Sequence, residues 1–148
     1  MWMVVKVPGT ENSGDTPETR EILRGVLDEW KAGVDAHDPA RVSAVFTVDG
    51  VFQGLRPHSV GRQGVFDYYD SQPRGMTVDY RILQARRLDA DVALGYLAAE
   101  FSFADRDPVD VNLGTLVIRT ADGWRIAYYQ ASPASEFSGA DAAEAARR

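Results

Sequence analysis

Apolar residues recur at helical spacing in the first third of the chain. Thr16, Pro17 and Glu18 precede them as an N-cap, a proline at the first helical position and an acid in the first turn. Together these are helix-start signals. We therefore predict a long first helix that ends near His37. Its buried stripe contains Ile22, Leu23, Val26, Leu27, Trp30 and Val34.

Two shorter helices and one short strand are predicted next. Asp38 followed by proline repeats the cap pattern and begins a second helix, whose buried side includes Phe46. A turn at Asp49 leads to a short strand at residues 51–53. Residues 61–69 carry apolar positions on one face and predict a third helix.

The second half of the chain predicts strands. Runs rich in Val, Ile, Tyr and Phe occupy residues 76–88, 92–103, 109–120 and 124–132, and short turn segments separate them. Short connections favour a consecutive antiparallel meander. Because glycine inside a strand often marks a bulge or bend, we expect Gly95 and Gly114 to curve the sheet.

Helices followed by a meander indicate an α+β fold, with three N-terminal helices packed on one face of a curved antiparallel sheet. Residues 1–16 are interpreted as a flexible leader, 17–133 as a single cone-shaped domain and 134–148 as a tail. With 148 residues the chain has room for one domain and a substantial core.

The composition excludes several classes of function. A net charge of −6 opposes binding to nucleic acid. The chain has no cysteine, which rules out thiolate chemistry, and its two histidines have no ligand-like spacing, so we predict no metal and no cofactor. No secretory signal or membrane-spanning stretch is evident, and a cytoplasmic location is the default expectation.

Several segments in this order resemble the nuclear-transport-factor-like superfamily, in particular its SnoaL-like members. They are Asp35-Ala36-His37-Asp38, residues 44–52, Gly61-Arg62 and Asp122-Gly123-Trp124-Arg125-Ile126. Gln130 and Ser132 are most similar to the subgroup typified by SgcJ and EcaC, which is associated with polyketide and enediyne biosynthesis. The resemblance implies a cystatin-like α+β barrel with an open-ended pocket, and commonly a homodimer formed through the outer face of the sheet.

The resemblance also implies which reactions are disfavoured. In the ketosteroid isomerases of this superfamily an aspartate is the base, and that position falls at Gly54. Their oxyanion-binding tyrosine falls at Trp30, which can donate a hydrogen bond but is not an acid or base. The aspartate of the SnoaL-type cyclases falls near Tyr128 or Gln130. Neither proton-transfer mechanism therefore carries over intact.

A dense set of aromatic residues is either ordinary core or the lining of a pocket for an extended unsaturated ligand. Alternation along the last strand, with the resemblance, assigns Trp124, Ile126, Tyr128, Gln130 and Ser132 to the interior of the cone. The predicted ligand-binding residues are Trp30, Phe46, Phe52, Tyr69, Tyr80, Tyr96, Asn112 and Tyr128.

Three residues are candidates for catalysis. Gln130 could hold a carbonyl or hydroxyl group of a ligand, or could simply be bonded to neighbouring strands. Glu100 shares a strand face with Tyr96, and if that face is inward, burial would favour general acid or base work; otherwise it points to solvent. His58, in the loop after the first strand, either transfers protons at the mouth of the cone or is plain surface.

Two functions from different classes follow from these observations. In the first, the protein binds a polyketide or polyene intermediate, of enediyne type, and promotes its cyclisation, isomerisation or oxidation without a cofactor. In the second, it is a non-catalytic ligand carrier or a dimeric assembly module. Both expect a small apolar or aromatic ligand, and neither expects nucleic acid or a membrane as partner.

Overall fold

The computed structural model describes residues 14–134. Most of the predicted leader and tail therefore lies outside the described residues. The elements are three helices and six strands: α1 Pro17–Asp35, α2 Pro39–Ser43, β1 Phe46–Gln53, β2 Ser59–Val60, α3 Arg62–Asp70, β3 Thr77–Asp89, β4 Val92–Ser102, β5 Val109–Thr120 and β6 Gly123–Pro133. The α+β class with a curved sheet and three helices is confirmed.

The strands form one sheet in the order β2-β1-β6-β5-β4-β3. The meander from β3 to β6 is antiparallel, as the short connections predict. The prediction of a wholly antiparallel sheet is wrong, because β1 pairs with β6 in parallel. Phe46 begins β1 rather than completing α2, and β2 was not predicted.

Helix α1 supplies the layer that covers the concave face of the sheet. Thr16 caps it by accepting a hydrogen bond from the Thr19 amide, as the cap pattern predicts. Leu23, Leu27 and Trp30 are essentially fully buried. A Cβ at Gly95 would lie 3.1 Å from Leu23 Cδ2, so this glycine allows close approach of helix and sheet.

The end of α1 is a Schellman motif centred on His37. The His37 amide donates to the Val34 carbonyl at 3.0 Å, and the Asp38 amide donates to the Gly33 carbonyl at 2.9 Å. His37 has a φ of 50°, in the left-handed region that glycine usually occupies. The helix thus ends near His37, as predicted, and His37 closes it through its backbone.

The bulges of the sheet are not at Gly95 or Gly114, the two glycines expected to curve it. Both pair in regular register, whereas the register shifts within residues 47–50 of β1, at Leu83 and Leu88 in β3 and at Ala127 in β6. One extra residue in a strand reverses which side later residues face. Beyond Ala127 the buried residues are consequently Tyr129 and Ala131.

This bulge overturns part of the interior assignment made for the last strand. Ile126 is buried as expected, but Gln130 and Ser132 are exposed, and Tyr128 is only half-buried on the outer face. Within residues 14–134, no helix is long and apolar enough to span a membrane.

Candidate functional site

A cavity of about 300 Å³ opens at one end of the concave face. Its buried wall includes Met76, Val111, Tyr129 and Ala131. Gly54 is buried as well, and the other lining residues range from half-buried Phe101 to residues at the protein surface. The full lining is Gly54, Leu55, Arg56, Tyr68, Gln72, Met76, Phe101, Phe103, Arg106, Val109, Val111, Tyr129 and Ala131.

A buried chain of hydrogen bonds leads from α1 to this cavity. Trp30 Nε1 donates to the hydroxyl of Tyr69 at 3.1 Å, and that hydroxyl donates to the hydroxyl of Tyr129 at 3.4 Å. All three side chains are buried. Because Tyr129 Oη accepts from Tyr69, its own proton remains available for another acceptor.

The two tyrosines of this hydrogen-bond chain, Tyr69 and Tyr129, are neutral at physiological pH. Burial raises the pKa of Tyr69, and the hydrogen bond accepted from the Trp30 indole only partly opposes that effect. Burial and the neighbouring Tyr69 also hold the pKa of Tyr129 well above its ordinary value. Tyr129 is therefore a hydrogen-bond donor and not a base.

Aromatic rings fix Tyr129 in position. Phe52 stacks on it, with ring centroids 4.8 Å apart and planes 26° apart. Phe46 and Trp30 contact it with centroids 6.0 and 5.9 Å away. These predicted ligand-binding residues therefore form a layer behind the cavity wall and do not line the cavity.

Gly54 has no room for the carboxylate that its position carries in the isomerases it resembles. The ring of Tyr68 packs against it, and a Cβ at Gly54 would lie 2.5 Å from Tyr68 Cζ. The Tyr68 hydroxyl accepts a long hydrogen bond of 3.4 Å from the Leu55 amide. The ring of Tyr68, which belongs to α3, thus occupies the place where a base would otherwise lie.

Two arginines lie on the exposed part of the cavity lining. The guanidinium carbon of Arg106 is 4.1 Å from the centre of the Phe103 ring. Arg56 is exposed in the segment after β1. No Asp, Glu or His is among the lining residues of this cavity.

The three predicted catalytic residues do not come together. Glu100 is exposed on the outer face of the sheet, in register with Asp79 and Asp110. It is not desolvated, so the conditional argument for acid or base work does not apply. Gln130 is also on the outer face, where its Oε1 accepts from the Tyr128 hydroxyl. His58 is exposed, and it does not line the cavity.

The remaining predicted ligand-binding residues divide between the two faces. Tyr80 lies on the inner side beside Trp30, and its hydroxyl donates to Asp28. Tyr96, Asn112 and Tyr128 lie on the outer face, because their strand neighbours on either side are the ones directed inward. The interior assignment of Tyr128 is therefore wrong, and the face left open for Tyr96 and Asn112 is the outer one.

The aromatic residues that line the cavity could not be identified as such from the sequence. Strict alternation places Tyr129 on the face opposite Tyr128 and Gln130, and only the bulge at Ala127 turns it inward. Phe101 lies at the end of β4 and Phe103 just beyond it, where alternation alone does not define a cavity wall. Arg56 and Arg106 are loop residues with no periodicity to follow.

A larger cleft of about 610 Å³ lies between α1, α2 and β6. Its charged groups already have partners, since Arg41 Nε bonds Glu29 Oε2 at 2.5 Å. Among residues 14–134, no three His, Cys, Asp or Glu side chains are grouped as metal ligands. The cavity beside Tyr129 is the better candidate because its charged groups, Arg56 and Arg106, have no salt-bridge partner among the described residues.

The curved sheet and helix layer define the class of fold. The chain is similar to a ketosteroid isomerase-like protein from Erwinia carotovora atroseptica, with 24% identity, a TM-score of 0.69, and coverage of 81% of this chain and 99% of that chain. The chain is also similar to a cystatin-like domain of unknown function from Nostoc punctiforme, with 13% identity, a TM-score of 0.74, and coverage of 89% of this chain and 86% of that chain. A third similar structure is an NTF2-like protein from Novosphingobium aromaticivorans, with 18% identity, a TM-score of 0.66, and coverage of 85% of this chain and 88% of that chain. These likenesses establish a cystatin-like, NTF2-like fold.

Within that class the family is also established. The chain belongs to the SnoaL-like domain family, whose model matches residues 23–136. This confirms the broader resemblance drawn from the sequence segments. No curated protein sequence matches the chain significantly.

Proposed function

We propose that the protein binds a small apolar or aromatic molecule in the cavity beside Tyr129. The observation that carries this proposal is an apolar cavity with a neutral phenol at its buried wall, held by a chain of hydrogen bonds from Trp30. A carbonyl or hydroxyl oxygen of the ligand would accept the Tyr129 proton. The aromatic wall would hold the flat part of the ligand.

The reaction that suits this site is one that needs restraint and carbonyl polarisation but no strong base. A preorganised donor in a dry site stabilises charge that develops on a carbonyl oxygen. Holding a chain in a reactive conformation also lowers a barrier. We propose cofactor-independent cyclisation or isomerisation of a polyketide or polyene intermediate, or its oxidation with dioxygen as the electron acceptor, in line with the SgcJ and EcaC resemblance.

A second candidate is a non-catalytic ligand carrier. The absence of Asp, Glu and His from the cavity lining favours it, since a carrier needs no proton-transfer group. In that case ligand affinity persists and no product forms. Incubation of the protein with extract of a polyketide-producing strain, followed by mass spectrometry, separates the two candidates. New compounds form if the protein is an enzyme, and none form if it is a carrier.

A homodimer and a cytoplasmic location complete the proposal. The outer face of the sheet would form the dimer interface, and half-buried Leu94, Leu116 and Ile118 and the 41% exposed Tyr96 support this choice. Light scattering after size exclusion tests the stoichiometry, and cell fractionation tests the location. A monomer at high protein concentration would contradict the dimer.

The binding proposal is tested with two matched probes, 2-acetylnaphthalene and 2-ethylnaphthalene. Only the ketone can accept a hydrogen bond, so we expect it to bind more tightly to the wild-type protein by roughly fivefold to tenfold. In Tyr129→Phe this preference should disappear, whereas in Tyr96→Phe on the outer face it should remain. Calorimetric titration measures both affinities.

Two further variants locate the ligand. Val111→Trp fills the cavity and should abolish binding of both probes, and its folded state is checked by circular dichroism. Tyr68→Phe tests the other phenol of the cavity wall. Loss of the ketone preference in Tyr68→Phe, with no change in Tyr129→Phe, would refute the assignment of the donor. Failure of both probes to bind any folded form would refute the binding proposal.

A further inference from the structure

The cavity beside Tyr129 combines an apolar interior with positive charge. Arg56 and Arg106 are the only ionisable lining residues other than the tyrosines. The chain as a whole has 22 acidic and 16 basic residues. In an acidic protein, the concentration of two arginines at one apolar cavity is a local reversal of charge.

Both guanidinium groups are available to a ligand. No carboxylate of residues 14–134 forms a salt bridge with either of them, although Asp105 and Asp107 flank Arg106 in sequence. By contrast, Arg20, Arg41 and Arg119 are each ion-paired. The two cavity arginines therefore retain unused donors.

Arg106 is also positioned against the wall of the cavity. Its guanidinium lies over the face of Phe103, itself a lining residue. A guanidinium stacked on an aromatic ring keeps its edge donors free, and it loses less freedom when it binds an anion. Apolar contact and anion recognition thus occur on adjacent surfaces of the same site.

We propose that the ligand of this cavity is an apolar or aromatic carboxylic acid. Its hydrocarbon part would occupy the space between Phe101, Val111 and Tyr129, and its carboxylate would be bound at the exposed part of the lining by Arg56 and Arg106. The planar fork of arginine matches a carboxylate with paired hydrogen bonds. This inference rests on the proposed binding function and specifies its ligand class.

The test uses probes that share one ring system and differ in charge. They are 2-naphthoate, 2-naphthamide and 2-naphthylmethylamine, compared by calorimetry at low salt. We expect the naphthoate to bind roughly tenfold more tightly than the amide, and the amine to bind most weakly. Because both arginines are exposed, this preference should decrease as salt is added.

Charge-neutral variants assign the preference to residues. Arg56→Gln and Arg106→Gln should each reduce the naphthoate-to-amide ratio about threefold, and the double variant should bring it close to one. Arg81→Gln is the matched control, since Arg81 is exposed and does not line this cavity. That variant changes the net charge equally and should keep the ratio of the wild type.

The outcomes separate this inference from the one it rests on. Equal affinity for naphthoate and amide, with 2-acetylnaphthalene still bound, would overturn the carboxylate inference and leave the binding function intact. A ratio that falls as much in Arg81→Gln as in Arg106→Gln would also overturn it, because net charge alone would then explain the preference. If no naphthalene probe binds the folded protein, both proposals fail together.

Discussion

Replacing Tyr69 with phenylalanine removes the central member of the buried hydrogen-bond chain while keeping the ring. Tyr69 accepts from Trp30 Nε1 and donates to Tyr129 Oη. Its ring also packs on Phe52, with centroids 5.7 Å apart, and this contact survives the change. The variant therefore tests hydrogen bonding with little change in packing.

The expected cost follows from the group that is left without a partner. Trp30 is fully buried, so its indole N–H would lose an acceptor that water cannot replace. A buried unsatisfied donor costs about 1–3 kcal/mol, and the 3.4 Å contact with Tyr129 contributes less. We expect a loss of about 2 kcal/mol in the free energy of unfolding, which corresponds to a melting temperature lower by roughly 5–10 °C.

Urea denaturation measures this change. The slope of the free energy of unfolding against urea concentration should be unchanged, because the packing is retained. Tyr96→Phe is the matched control, since it keeps the ring that the proposed dimer interface would use and removes a hydroxyl that has no hydrogen bond among residues 14–134. It should remain within about 0.5 kcal/mol of the wild type. In the Tyr69→Phe background, adding Tyr129→Phe should cost less than it does alone, by about 0.5–1.5 kcal/mol. A Tyr69→Phe variant as stable as the control, or strictly additive effects, would refute the chain as an energetic unit.

Three other predictions concern stability. Gly54→Ala should destabilise the fold by about 1–3 kcal/mol because its Cβ meets the Tyr68 ring, whereas Gly114→Ala, with nothing within 4 Å, should be neutral or slightly stabilising; urea midpoints compare them. His37→Gly should stabilise the protein by up to about 1 kcal/mol by relieving its positive φ, and an unchanged melting temperature would contradict this. The raised pKa values of Tyr69 and Tyr129 keep both side chains protonated in the folded state. The free energy of unfolding should therefore be independent of these two groups below about pH 10 and should decrease above it by up to about 1.4 kcal/mol per pH unit for each tyrosine. Urea denaturation at pH 8 and pH 11 should show a smaller decrease for Tyr69→Phe than for the wild type.

Much of the fold could be predicted because its signals are local. The cap at Thr16, the apolar stripe of α1 and the short turns between β3 and β6 each act within a few residues. The parallel pairing of β1 with β6 could not be predicted in the same way. It joins residues about 80 positions apart, and neither strand contains a feature that specifies the direction of its partner.

The candidate site depends on a single backbone irregularity. With strict alternation, Tyr128 and Gln130 would point inward, and one extra residue at Ala127 directs Tyr129 and Ala131 inward instead. Alanine carries no sequence mark of a bulge, unlike the glycines at which curvature was expected. A shift of one residue thus moved a predicted amide out of the interior and brought an unpredicted phenol to the cavity wall.

The same irregularity explains why the cavity is suited to hydrogen-bond donation and anion capture more than to proton abstraction. Tyr129 lies inward at the point where it meets Tyr69, and the apolar layer around both phenols raises their pKa and keeps their protons in place. The charged groups of the cavity, Arg56 and Arg106, are at its exposed side, where solvent lowers the cost of charge. Buried neutral donors and exposed cations both bind electron-rich oxygen. A ligand with oxygen at both ends of an apolar body would therefore accept from Tyr129 at one end and from Arg56 and Arg106 at the other.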